Sequence, residues 1–266
     1  MKYFNYSVVM NKERKLAFFA AVNIDGGQQQ EIGKRTGDKW YRDPRIDENH
    51  QLGDEFYKKQ TEVETDRTKN PFDRGHLVRR LDATWGKTVE IAKEHGDDSF
   101  HFTNCSPQFW RFNEGKRLWL GLEDYTRNKL LAQKNKGVII NGPVFDGPDA
   151  EKGKLPRPGD RAHKDPTFGG LKIPKYFWKI MATARDGKLV ALGFLMSQRD
   201  QLLDIDRIKE ADFEFTDASI RVYQYSIADL AKLTKLDFGK LATVDLHEAA
   251  AEGPRHIESF DDIRLG

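Results

Sequence analysis

The chain opens with two runs dominated by apolar residues, YSVVM (6–10) and KLAFFAAVNID (15–25), separated by the turn-forming NKER. Short β-branched and aromatic runs bounded by turn residues predict strands. The next stretch, 26–66, is polar and glycine-containing and predicts surface loops. SFHFTNCSP (99–107) predicts a short strand ending in a turn. In RLWLGLEDYTRNKLLAQKN (117–135) the period changes: Leu118, Leu122, Tyr125 and Leu130 fall near one face of a helix, with Gly137 as its stop. GVIINGPVF (137–145) predicts a buried strand. IPKYFWKIMATA (173–184) and KLVALGFLMS (188–197) predict a strand pair joined at RDGK. SIADLAKLTKLDF (226–238) predicts a late helix capped by Ser226. Strands and helices mix without regular βαβ alternation, so the predicted class is α+β.

The chain has 266 residues, enough for a sizeable core, and shows no repeat or long Pro/Gly/Ser linker, so one domain over 1–266 is expected. The Pro/Gly-rich stretch 145–170 is long for an internal loop, which points to function or motion. No apolar window is long enough to span a membrane. The N-terminal segment is interrupted by Asn5, Asn11 and Lys12 and lacks a secretory apolar stretch. Two locations stay open: the cytoplasm, or outside the cell after removal of a signal. One cysteine, Cys105, excludes an internal disulfide and a cysteine-based zinc site. The net charge of +2 is small, but it is segregated: 67–80 carries five Lys/Arg against one Asp, and the acidic tail 245–266 carries six Asp/Glu against two Arg.

Several motifs fail. GGQQQEIGKR has the wrong glycine spacing for a phosphate-binding loop, and Lys34 is followed by Arg35. NYS at Asn5 and NCS at Asn104 match a glycosylation pattern that often arises by chance. His50, His95, His101, His163, His247 and His256 stand alone and read as surface or core residues.

The stretch NPFDRGHLVRR (70–80) sets Asp73, Arg74, Gly75 and His76 side by side. Downstream, HFTNCSPQFWRFNEGKRLWLGLEDY (101–125) carries Asn104, Gln108, Asn113 and Glu123 among aromatics. Phosphodiester hydrolysis needs a base for water, a hard cation for the phosphate and a cationic group for developing charge. His76 suits the base. Asn113 offers an amide oxygen to Mg²⁺, and Glu123 can hold the metal's waters. Asp73 could do the same or orient the loop. Equally, DRGH alone is a charged turn, Asn113 an N-cap and Glu123 a helix-surface acid.

DRGHL, TNCSPQ and FNEGKRLWLGLEDY, in that order, resemble the DNA/RNA non-specific endonuclease family, of the Serratia and endonuclease G types, over about residues 35–235. The INGPVF and IPKYFWKI strands look similar too. The resemblance implies a central mixed or antiparallel sheet with flanking helices and a ββα-metal (His-Me finger) site. It implies a Mg²⁺-dependent hydrolase (Mn²⁺ or another divalent cation substituting) that cuts DNA and RNA to 5′-phosphate and 3′-hydroxyl ends. By it His76 is the general base, Asn113 the direct metal ligand, Glu123 a ligand through water and Asn104 a residue shaping the site. Asp73, Arg74 and Gly75 complete the signature, Gly75 giving the backbone room to turn. A phosphate-binding arginine is implied upstream near Trp40. Arg42 is favoured over Arg35 and Arg45, though none sits at the family's offset. The gap from Asn113 to Glu123 is two residues longer than in Serratia-type enzymes. Arg79 and Arg80 read as nucleic-acid backbone contacts or solvated charge. A homodimer and an inhibitor or regulatory partner are compatible with the resemblance. Two other readings stay open: a nucleic-acid-binding module without turnover, and a phosphodiesterase for small nucleotides.

Overall fold

A computed structural model describes residues 1–33, 39–58, 71–114, 119–131, 134–148, 150, 155–203, 221–247, 254–257 and 263. The strands are β1 (Tyr6–Asn11), β2 (Leu16–Asp25), β3 (Phe72–His76), β4 (Cys105–Phe109), β5 (Lys136–Val144), β6 (Thr167–Phe168), β7 (Leu171–Lys172), β8 (Tyr176–Arg185), β9 (Lys188–Ser197), β10 (Arg221–Gln224) and β11 (Arg255–Ile257). The α-helices are α1 (Asp54–Lys58), α2 (Arg80–Ala83), α3 (Val89–Asp97), α4 (Trp110–Glu114), α5 (Trp119–Leu131), α6 (Arg199–Leu203) and α7 (Ile227–Thr234). This is the expected α+β class.

Seven strands form one sheet in the order β1-β2-β5-β8-β9-β10-β11, and each neighbouring pair is antiparallel. The β8–β9 hairpin turns on Asp186 and Gly187, between the paired Arg185 and Lys188. Both turn residues have positive φ, 51° and 73°, the backbone that a tight two-residue hairpin requires and that Asp-Gly supplies. The long apolar run in β8 reflects burial of both sheet faces. Phe177 and Met181 pack on one side with Leu77, Val78, Phe109, Phe112 and Leu122. Tyr176, Trp178 and Ile180 pack on the other with Ile227, Leu230 and Leu233 of α7. Ser226 caps that helix, its hydroxyl accepting from the Asp229 amide at 3.0 Å, as expected. Burying a leucine or isoleucine fully is worth about 1.5–3 kcal/mol, so the α7 trio is a substantial anchor.

On the first face, β3 and β4 form a separate antiparallel pair, followed in the chain by α4. Two buried amides fasten this unit to the sheet. Asn141 of β5 donates to Leu77 O at 2.9 Å. Gln198, just past β9, accepts from Phe109 N at 2.8 Å and donates to Pro174 O at 2.7 Å.

Three expectations are corrected. The 26–66 stretch holds α1 and a 3-10 turn at Glu48–His50, because Asp47 and Asp54 supply a cap and a first-turn acid. The predicted strand at 99–107 is instead a 3-10 turn, Phe102–Asn104, running into β4, since Asn104 bonds to the chain beside it instead of extending. Gly137 does not stop α5; it lies in β5. Leu118 and the Leu130 side chain lie outside the described residues. Asn5 and Asn104, the glycosylation matches, are both buried. Among the described residues no helix is long and apolar enough to cross a membrane.

Candidate active site

His76 ends β3, directly across from Cys105 of β4. Its ring is half-buried between Trp40, 4.5 Å away at 46°, and Phe100, 4.9 Å away edge-on at 81°. The Ser99 hydroxyl donates to Gly96 O at 2.7 Å, so it can only accept from His76 Nε2, a long contact of 3.5 Å. That arrangement places an N–H rather than a lone pair at Nε2.

Asp73 lies three residues earlier on β3, and its Oδ2 accepts from Asn113 Nδ2 of α4 at 3.1 Å. A carboxylate only accepts, so it selects the amide nitrogen of Asn113. The amide oxygen of Asn113 is the end not used by Asp73. An N-cap role for Asn113 does not hold, since it lies within the helix α4.

Asn104 is fully buried and clamps the segment after His76. Its Oδ1 accepts from Val78 N at 2.9 Å, and its Nδ2 donates to Val78 O at 2.8 Å and Ser99 O at 3.0 Å. With three bonds to backbone, the side chain has a shaping position. Gly75 departs from the expectation of a turn: it lies within extended β3, and its φ is not positive. A Cβ there would meet Gln108 Cδ and Oε1 at 2.3 Å, so the absent side chain makes room for Gln108.

Glu123 of α5 is 5% exposed rather than a surface acid. Its Oε2 is 3.9 Å from Arg79 Nε, and Arg79 also binds Asp124. Beneath it the sheet contributes Lys179, and α2 contributes Asp82, both fully buried. Burial lowers the Lys179 ammonium's pKa, opposed by the negative Glu123 and Asp82. Burial raises the Asp82 carboxyl's pKa, opposed by Lys179, Arg79 and Arg127. Sequence reasoning missed this buried charge cluster, although Lys179 interrupts an otherwise apolar run.

The arginines behave differently from expectation. Arg74 points away from Asp73 along the strand's alternation, donates to Asp54 Oδ1 at 2.9 Å and lies over the Tyr57 ring. Arg80 is buried and donates to Asp97 Oδ1 at 2.9 Å. Arg80 is therefore a buried ion-pair partner, and the half-buried Arg79 pairs with the exposed Asp124 and lies near the buried Glu123. Arg42 pairs with Glu48 at 3.2 Å and Glu55 at 2.6 Å and lines a cleft with Arg14, Phe56 and Lys172. Arg45 is held by Asp43 and by Lys2 O at 2.7 Å. Arg35 lies outside the described residues.

β3, β4 and α4 form a strand–strand–helix unit on the sheet, and it carries His76, Asp73 and Asn113. The family model described as DNA/RNA non-specific endonuclease matches residues 1–244, and the chain belongs to that family. A curated relative, the uncharacterized protein y4fB of Sinorhizobium fredii (strain NBRC 101917 / NGR234), is 41% identical over 208 residues, 77% of this chain and 28% of the relative. The chain thus spans little more than a quarter of that relative's length. Among solved structures, EndoG in its complex with EndoGI shares the fold, with a TM-score of 0.61 at 16% identity, covering 90% of this chain and 84% of that one.

Proposed function

We propose that the protein is a Mg²⁺-dependent, sequence-non-specific endonuclease that hydrolyses DNA and RNA to 5′-phosphate and 3′-hydroxyl ends. The carrying observation is the Asp73–Asn113 hydrogen bond, which uses the amide nitrogen of Asn113 and leaves its neutral oxygen as the end for a cation, in the same strand–strand–helix unit that carries His76. The donors suit a hard, largely hydrated cation: one amide oxygen from Asn113, with the buried Glu123 carboxylate to accept from water. Mn²⁺ would suit the same donors. When bound, the cation neutralises phosphate charge and stabilises the leaving 3′ oxygen.

His76 takes the proton from the attacking water, and Trp40 and Phe100 hold its ring in place. Asp73 fixes the Asn113 amide, Asn104 fixes the backbone on the far side of His76, and Arg74 braces β3 against α1. Arg42 is the phosphate-binding candidate, since its glutamate partners are exposed and such surface pairs are weak enough to exchange. No contact in this scheme reads a base or a 2′-hydroxyl, so both polymers are substrates with little sequence preference. The EndoG neighbour was solved with EndoGI in a study of EndoG inhibition, which supports an inhibitor or regulatory partner here as well.

The test is cleavage of plasmid DNA and of a structured RNA with Mg²⁺ or EDTA, wild type beside His76→Ala. Cleavage of both polymers that EDTA and His76→Ala abolish is expected. Undiminished cleavage by folded His76→Ala would remove His76 from the chemistry.

A further inference from the structure

Gln108 is fully buried, yet neither its Oε1 nor its Nε2 has a hydrogen-bond partner among the described residues. The same holds for Ser106 Oγ, two residues away on β4. Buried polar side-chain atoms are nearly always paired, to protein or to ordered water. The register places these groups. Asp73 lies directly across from Gln108, and Gly75 directly across from Ser106. Directly paired residues share a face of the sheet, with Cβ atoms about 4.5–5.5 Å apart. The Gln108 carboxamide folds back over Gly75, so close that a Cβ there would lie 2.3 Å from its Cδ. Gln108, Ser106 and Asp73 therefore gather on one face of the two-stranded unit, and Asp73 is the residue that holds Asn113.

We propose that Gln108 is a positioning residue for Asn113: its carboxamide, laid over Gly75 beside the Ser106 hydroxyl, supports Asp73 through an internal water and so fixes the Asn113 amide. The site is polar and supplies the two to four partners a buried water needs. Gly75 is then a glycine because any side chain would expel this amide. The inference rests on the reading of Asn113 as the metal-holding residue.

The experiment reads Mn²⁺ binding by electron paramagnetic resonance, with circular dichroism, thermal melting and steady-state DNA cleavage in parallel. Gln108→Met keeps the volume and removes the hydrogen bonds. It is expected to melt cooperatively, bind Mn²⁺ about 10-fold more weakly and lose kcat with little change in KM, as supporting residues behind metal ligands do. Gly75→Ala is expected to disrupt the unit. The double variant Gly75→Ala/Gln108→Ala relieves the clash and is expected to regain a cooperative melt without regaining Mn²⁺ affinity. It decides the matter should Gln108→Met not fold. Mn²⁺ affinity within about twofold of wild type in either folded variant overturns the role of Gln108. If wild-type Mn²⁺ binding is itself unchanged by Asn113→Ala, the metal reading and this inference fall together. An Asn113-dependent Mn²⁺ site that ignores Gln108 removes only the inference.

Discussion

Asn113 donates its side-chain amide to the Asp73 carboxylate at 3.1 Å, across 40 residues of sequence. One contact joins the strand that ends in His76 to the helix that carries the amide. It also decides which end of that amide is presented. Asp73→Ala should leave the fold intact but let the Asn113 amide rotate. Divalent-cation affinity should fall about 10–100-fold, measured by calorimetric titration with Mg²⁺ or Mn²⁺. Unchanged affinity would show that the contact does not orient Asn113.

Asn104 satisfies three backbone groups around the segment that follows His76. Asn104→Ala strands those groups in a dry interior. The expected cost is about 3–5 kcal/mol, and thermal melting should fall by roughly 6–15 °C. A loss of only a degree or two would mean that the clamp is dispensable.

Asp43 is 1% exposed and accepts from Tyr3 Oη at 2.6 Å, Arg45 N at 2.8 Å and Arg45 Nε at 2.9 Å. Burial pushes its carboxyl up, but the bonds from Arg45 and Tyr3 outweigh it and hold Asp43 well below the usual carboxylate range. A group whose pKa is depressed by folding stabilises above its unfolded value, about 3.9, and loses that contribution as pH falls toward the folded value. Asp43→Asn should lower the melting temperature at pH 7, with a gap from wild type that narrows steadily below about pH 4. Parallel melts from pH 7 to pH 3 provide the check, and a gap independent of pH would contradict it.

Cys105 is fully buried, lies 3.0 Å from the Tyr57 hydroxyl, and has its thiol pKa pushed up to about 12 by burial. Thiol reagents need an accessible thiolate. The native protein should resist labelling at pH 8, and the protein in denaturant should label once per chain. Rapid native labelling would show that β4 opens readily.

The elements that the sequence made legible are those whose own residues carry the signal. β8 and β9 announce themselves by continuous apolar runs around Asp186-Gly187, and α7 by its spacing after Ser226. The short α2 carries too few turns for a period to show, and Gly137 reads the same as a helix stop as it does in a strand. In the candidate site, the residue types at 73, 76, 104, 113 and 123 were legible as a set, in order. Their geometry was not.

What the sequence determined by itself was the supply of groups: an imidazole, two side-chain amides and two carboxylates in three ordered segments, with strand-forming runs to hold them. Tertiary structure alone decided their use. It paired Arg79 and Arg80 with Asp124 and Asp97, gave Asn104 to the backbone of Val78, and buried Lys179 and Asp82 beneath Glu123. It also gave Gly75 its meaning, which depends on Gln108 arriving from the opposite strand. The reason is that hydrogen bonds and ion pairs form between groups distant along the chain. A charge pattern along one segment records which groups exist, whereas burial and cross-strand register settle which partner each one meets.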